Sequence, residues 1–171
     1  AVKLDTDNIA EYIRGKTVIV TGAGGSIGSE MCRQISPFKP QCLLLLEQAE
    51  NNLFHIDREL RRQYSDLKII PVIADVFDSG RLDYIFSKYK PHAVFHAAAH
   101  KHVPMMEMNP GEAVKNNIVG TRNLADAAMK SGVDKFVMIS TDKAVNPTSV
   151  MGCTKRVAEM YVQQLSSRGQ T

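Results

Sequence analysis

The chain has little cysteine, no long apolar run and no marked surplus of one charge. Cys32, Cys42 and Cys153 are an odd number without a CxxC pair, which argues against a disulfide framework and against a cysteine-held zinc. A reducing, cytoplasmic setting is the corresponding expectation. The longest purely aliphatic run, Leu43–Leu46, falls far short of the roughly 20 residues needed to cross a bilayer. The N-terminus also lacks the apolar centre of a secretory signal. Twenty-one Lys and Arg against eighteen Asp and Glu leave a formal charge of +3, too small and too scattered for a nucleic-acid surface. The Arg58, Arg61 and Arg62 cluster reads as a solvated helix face. No internal repeat or low-complexity tract is present.

What remains is 171 residues, 44% hydrophobic and 23% charged, the composition of one ordinary globular domain. From Lys16 onward, short apolar runs alternate with longer stretches of helical period, the rhythm of a parallel sheet covered by helices. Five strands are predicted, at 16–21, 41–47, 68–75, 93–97 and 135–140, with both faces buried. The expected fold is a doubly wound α/β Rossmann sheet in the order 3-2-1-4-5, spanning residues 16–171 behind a leading helix within residues 1–15. Ile27, Met31 and Ile35 form one helical stripe, and Leu53, Ile56, Leu60 and Tyr64 another. A helix over 111–130 carries Val114, Ile118, Thr121, Ala125 and Ala128. A last helix from about Ser149 carries Met151, Thr154, Ala158, Tyr161 and Leu165. The irregular stretches 98–110 and 141–148 both follow strands, where ligands bind in open parallel sheets. Because the chain stops just after a helix, where such a sheet ordinarily continues, a truncated piece is expected.

The segment TGAGGSIG, residues 21–28, lies between the first strand and the first helix. A dinucleotide pyrophosphate needs bare backbone and a helix N-terminus at that place. Thr21, Gly22, Gly24, Gly25, Ser26, Ile27 and Gly28 are therefore candidate cofactor residues. Glu47 closes the second strand nineteen positions after Gly28, near the spacing of a ribose-binding carboxylate. Such a carboxylate accepts from ribose hydroxyls and repels a 2'-phosphate, so NAD is preferred over NADP. Asp75 and Val76 are candidates for the adenine, although an Asp after a strand also serves as a turn cap. Ala97, Ala98 and Ala99 suit a wall of small side chains against the cofactor. His96 and His100 straddle a strand end with no partnering Glu, so no metal site is expected. Met105, Met106 and Met108 suit either core filling or the lining of a substrate or subunit surface.

The glycine spacing TGxxGxxG resembles the short-chain dehydrogenase/reductase superfamily. The segment NIVGTRNLADAA, residues 117–128, looks like the helix motif of its extended, nucleotide-sugar-modifying branch. STDKAVNPT, residues 140–148, is similar to a loop of the UDP-N-acetylglucosamine 4,6-dehydratase, CapD-like polysaccharide biosynthesis family. That resemblance implies an NAD-dependent dehydratase acting on UDP-N-acetylglucosamine or a related UDP-sugar. The full-length parent is expected to be homo-oligomeric and membrane-anchored, with this portion facing the cytoplasm and inactive alone.

The implied reaction oxidises the sugar at C4, removes water across C5 and C6, and returns the hydride to C6. The resemblance assigns Asp142 and Lys143 as acid and base, which requires a protonated Asp142 and a neutral Lys143. It places Asn117 and Lys155 at the cofactor, and Met151 where most of the superfamily has a tyrosine. Methionine cannot titrate, so Thr141 inherits the contact to the C4 hydroxyl. Lys101 is a candidate substrate contact. Thr141, Asp142 and Lys143 are all expected to face the crevice above Gly25. A non-catalytic NAD-binding module and a UDP-sugar 4-epimerase are the alternatives.

Overall fold

The computed structural model describes residues 6–168. Five parallel strands form one sheet in the order β3-β2-β1-β4-β5, as the alternating pattern predicts. They are β1 (Thr17–Thr21), β2 (Cys42–Glu47), β3 (Ile69–Ile73), β4 (Ala93–His96) and β5 (Lys135–Met138). A short helix, α1 (Thr6–Ile13), precedes them. The register aligns Thr21 with Leu46 on one side and with His96 on the other. The carboxyl ends of the central strands therefore finish on one rim.

The sheet is held by its two faces. Val18 and Val20 of β1 join Leu43 and Leu45 of β2 against α2 (Ser26–Ile35) and α3 (Glu50–Gln63). The alternate residues Ile19, Leu44 and Leu46 face α4 (Ser79–Tyr89) and α7 (Thr121–Lys130). This is the period-2 geometry of a strand covered on both sides. Each fully buried Leu or Ile contributes about 1.5–3 kcal/mol through desolvation. Burial of both faces holds for β1 and β2, whereas β3 buries only Ile69 and Val72 and β5 is half-buried throughout. The difference follows from position, because β3 and β5 are the outer strands.

Three helical segments depart from the expected pattern. In α2 the buried residues are Gly28, Cys32 and Ile35, while Ile27 is 50% exposed. The stripe is thus displaced by one position and Ile27 is turned to the strand tips. The 98–110 stretch is not wholly irregular, since it contains α5 (Val103–Met108). The single helix expected over 111–130 is broken into α6 (Pro110–Ala113), a π-helical stretch Val114–Gly120, and α7. The wider π turn rotates the buried face. Asn116, Asn117 and Gly120 point inward there, and Val114 is exposed. The final helix, α8 (Val150–Arg168), buries Met151, Thr154 and Ala158 as predicted.

Candidate active site

The turn from β1 into α2 sets one end of the site. Gly22 adopts φ +63°, and a Cβ there would lie 2.8 Å from the Ala98 nitrogen. Only glycine meets both demands. At Gly28 a Cβ would approach the Gly22 oxygen to 2.0 Å, so this glycine lets helix and turn pack rather than exposing backbone. Gly25 is the N-cap of α2 and brings no capping side chain, and Ser26 begins the helix at the surface. The first N–H groups of α2 and its dipole are thereby presented to the rim, an arrangement suited to phosphate.

Glu47, at the tip of β2, is 8% exposed. Its Oε2 accepts from the Gly24 N–H at 3.1 Å and its Oε1 from the Ala49 N–H at 3.0 Å. The carboxylate is thus locked beside the glycine turn, and each oxygen keeps lone-pair capacity for a ligand hydroxyl. A cleft of about 230 Å³ opens here, walled by Gly22, Gly25, Glu47, Asp75, Val76 and Ala98. Asp75 fills the turn-cap role with one oxygen, which accepts from the Phe77 N–H at 2.9 Å, and still lines the cleft. Asn52 and Asn116 also line it. Neither was foreseen, because an Asn inside a helical pattern carries no local sign of facing a ligand.

A second cavity of about 260 Å³ adjoins the first through Ala97, Ala99 and His100. Ile27, Lys101, Thr141, Lys143, Met151 and Lys155 line it. The structure therefore gathers the tips of β4 and β5 with the first turns of α2 and α8. Asp142 stands apart, its side chain 89% exposed and its Oδ1 3.5 Å from the Lys143 Nζ. The Thr141 hydroxyl donates to Asp142 at 3.0 Å. That bond and the Lys143 ammonium hold the Asp142 carboxyl below its usual range. Of the three residues expected to turn inward, Thr141 and Lys143 line the cavity, Lys143 with its side chain 56% exposed, whereas the Asp142 carboxylate stands in solvent, bonded to both neighbours.

Lys155 is 5% exposed, and its Nζ donates to the Ile139 carbonyl at 2.8 Å. Burial lowers its pKa to about 8, against a partial upward pull from Glu159. Gly152 permits this packing, because a Cβ there would sit 2.3 Å from the Lys143 carbonyl oxygen. Met151 is buried with Met106 and Ala113 beneath the cavity.

Two predicted cofactor residues lie behind the walls instead of in them. The Thr21 hydroxyl is buried 2.7 Å from His96 Nδ1, and His96 Nε2 is 2.9 Å from the Thr121 hydroxyl. Burial and the Lys155 charge push the His96 pKa down to about 3, so the ring is neutral. His96 thus bridges two threonines and does not converge with His100. Asn117 Oδ1 accepts from the His100 N–H at 2.8 Å, and its Nδ2 donates to the His100 carbonyl at 3.0 Å. The same Nδ2 donates to Thr154 at 3.1 Å. Asn117 therefore fixes the loop after β4 against α8.

With this geometry, the chain can be set beside known proteins. Residues 18–171 match the family described as polysaccharide biosynthesis protein. The chain belongs to that family. It is 55% identical to the capsular polysaccharide biosynthesis protein CapD of Staphylococcus aureus, covering 96% of this chain and 28% of CapD. It is 35% identical to a UDP-N-acetylglucosamine 4,6-dehydratase (inverting) of Campylobacter jejuni, over 85% of this chain and 42% of the relative. A UDP-glucose 4-epimerase of Rickettsia canadensis is 34% identical over 84% of this chain and 42% of the epimerase. The chain thus spans less than half the length of these relatives. Among solved structures, Pen from Bacillus thuringiensis superposes with a TM-score of 0.86 at 32% identity, covering 94% of this chain and 50% of that one.

Proposed function

We propose that the chain is the dinucleotide-binding part of an NAD-dependent UDP-sugar 4,6-dehydratase, acting on UDP-N-acetylglucosamine in surface polysaccharide assembly. The observation that carries this reading is the juxtaposition of Thr141, Lys143, Met151 and Lys155 around one cavity that adjoins the glycine-turn cleft. The likeness to the Campylobacter dehydratase and to CapD supports it.

The residues present fit a dinucleotide. The bare turn at Gly22–Gly25 and the start of α2 would hold the pyrophosphate, and the locked Glu47 carboxylate would accept from the adenosine ribose. The same carboxylate would repel a 2'-phosphate, which favours NAD over NADP. When bound, the nicotinamide supplies hydride acceptance and return. Lys155, as the ammonium, would orient the adjoining ribose. Thr141 would hydrogen-bond the C4 hydroxyl, the place that Met151 cannot serve, and pass its proton to water or to a neighbouring group. A neutral Lys143 would take the C5 proton, and a protonated Asp142 would give its proton to the departing C6 oxygen. For that last role, the Thr141 and Lys143 contacts to Asp142 must open and a covering substrate must desolvate the carboxyl. In the whole protein, this portion would face the cytoplasm from a membrane anchor. Among the described residues, no helix is long and apolar enough to cross a membrane.

A 4-epimerase is the second reading, favoured by the exposed and ionised Asp142, because epimerisation needs no acid at C6. The two separate on the product of the full-length protein with NAD and UDP-N-acetylglucosamine. Loss of one water is expected for the dehydratase, whereas an isomer of unchanged mass would replace that reading with the epimerase.

A further inference from the structure

Glu159 lies one helical turn beyond Lys155 on α8, outside both cavities, and no step of the chemistry above uses it. Its side chain is only 20% exposed. One oxygen accepts a short hydrogen bond from the Ser140 hydroxyl, and the other accepts from Arg156 Nη1 at 3.1 Å. Lys155 meanwhile grips the Ile139 carbonyl. Residues at i and i+4 share a helix face, so α8 holds two consecutive residues, Ile139 and Ser140, from successive turns. The next residue is Thr141. The Ile139 N–H donates to the His96 carbonyl of β4 at 3.0 Å, so the sheet fixes the strand as far as Ile139, and among the described residues it is α8 that holds the Ser140 side chain beyond it.

We propose that Glu159 is a positioning residue that, through the Ser140 hydroxyl, sets the strand exit presenting Thr141 and Lys143 to the crevice. This rests on the dehydratase or epimerase reading only for its kinetic consequence. The structural consequence stands without either. A charge-assisted bond is stronger than a neutral one, so the carboxylate suits an acceptor that must hold a backbone segment with few ladder bonds. Glu159 also lends its charge to Lys155. The other charged or titratable groups facing Lys155 are His96 from β4, His100 and Lys101 from the following loop, and Lys143 from the β5 loop, while Arg156 of α8 is paired with Glu159.

The test uses the full-length protein and three variants: Ser140→Ala, Glu159→Ala and Glu159→Gln. The first reading is amide hydrogen exchange at residues 140–144, which requires no turnover. Both alanine variants are expected to raise exchange there about tenfold, with the double variant no worse than either alone. Glu159→Gln keeps an acceptor and is expected to restore most of the protection. The second reading is turnover of the UDP-sugar. The alanine variants should lose kcat about tenfold with little change in the KM for NAD. Glu159→Gln should recover kcat at neutral pH while its alkaline limb shifts to lower pH, because Lys155 loses an acidic neighbour. Unchanged exchange in both alanine variants overturns the proposal, as does a double variant whose loss is the product of the single losses. If the unaltered protein turns over no UDP-sugar, the functional reading fails and exchange alone decides the role of Glu159.

Discussion

Lys155 and His96 titrate in the direction burial dictates, and each ties stability to pH in its own window. The Lys155 pKa falls from 10.5 to about 8, so between these values the unfolded chain binds more protons and stability rises with pH. The span is worth roughly 3 kcal/mol. Urea unfolding of the chain and of Lys155→Met at pH 7.5 and pH 10 is expected to show the parent gaining on the variant as pH rises. Parallel curves would mean that the ammonium is not desolvated. His96 falls from 6.5 to about 3, so its contribution is intact above 6.5 and is lost as pH falls through that window. A His96→Gln variant should therefore have a melting temperature that depends less on pH between 7 and 4.5 than the parent's. Gly28→Ala is of another kind. Its Cβ would meet backbone at 2.0 Å, and no rotamer can relieve that contact. A loss of about 3 kcal/mol in denaturant titration is expected.

At the scale of elements, the π-helical stretch Val114–Gly120 decides how α8 and the β4 loop meet. Asn117 fills all of its amide hydrogen-bonding positions: Asn116 and His100 donate to its oxygen, and its nitrogen donates to His100 and Thr154. Asn117→Ala would leave the His100 peptide and the Thr154 hydroxyl without these partners, at a cost of about 2–3 kcal/mol in unfolding free energy. Cofactor affinity, read by calorimetric titration with NAD, should fall with it, because His100 belongs to both cavities. This element also marks where sequence reading stopped. Strand positions and the buried stripes of α3 and α8 are legible because apolar spacing specifies them, and the strand order follows from the doubly wound fold they imply. The 111–130 stripe failed upstream of Thr121, since one π turn rotates the face and nothing in the residue spacing announces it. The helix over 79–89, with Leu82, Ile85 and Phe86 buried, lies outside the predicted elements. In the site, the glycine turn, Glu47 and the Thr141–Lys143 and Lys155 pair of segments were readable from motif and resemblance. The outward turn of Asp142, the locked Thr21 and Asn117, and the roles of Asn116 and Glu159 were not. Each depends on a partner more than ten residues away or on a balance between solvent and a neighbouring charge.

Across the whole molecule, the sheet is graded from centre to rim, and the site straddles that gradient. β1 and β2 are buried throughout and paired on both sides, so their amides can exchange only through large openings. Among the described residues, β5 is half-buried and paired with β4 alone. The glycine turn and Glu47 stand on the buried centre, while Thr141 and Lys143 follow the half-buried β5. Dinucleotide binding and the positioning of the β5 loop are therefore expected to separate experimentally. With NAD at about 100 times its Kd, the folded chain should gain about 2.7 kcal/mol. NADP at the same concentration should give a smaller gain because of the Glu47 carboxylate. Hydrogen exchange should then slow at residues 22–28 and 47–49 by a larger factor than at 140–143, because beyond Ile139 the loop is held to α8 through the Ser140–Glu159 bond. Equal slowing at both segments would show that the crevice closes as one unit. The grading of the sheet would then have no bearing on how the β5 loop is held.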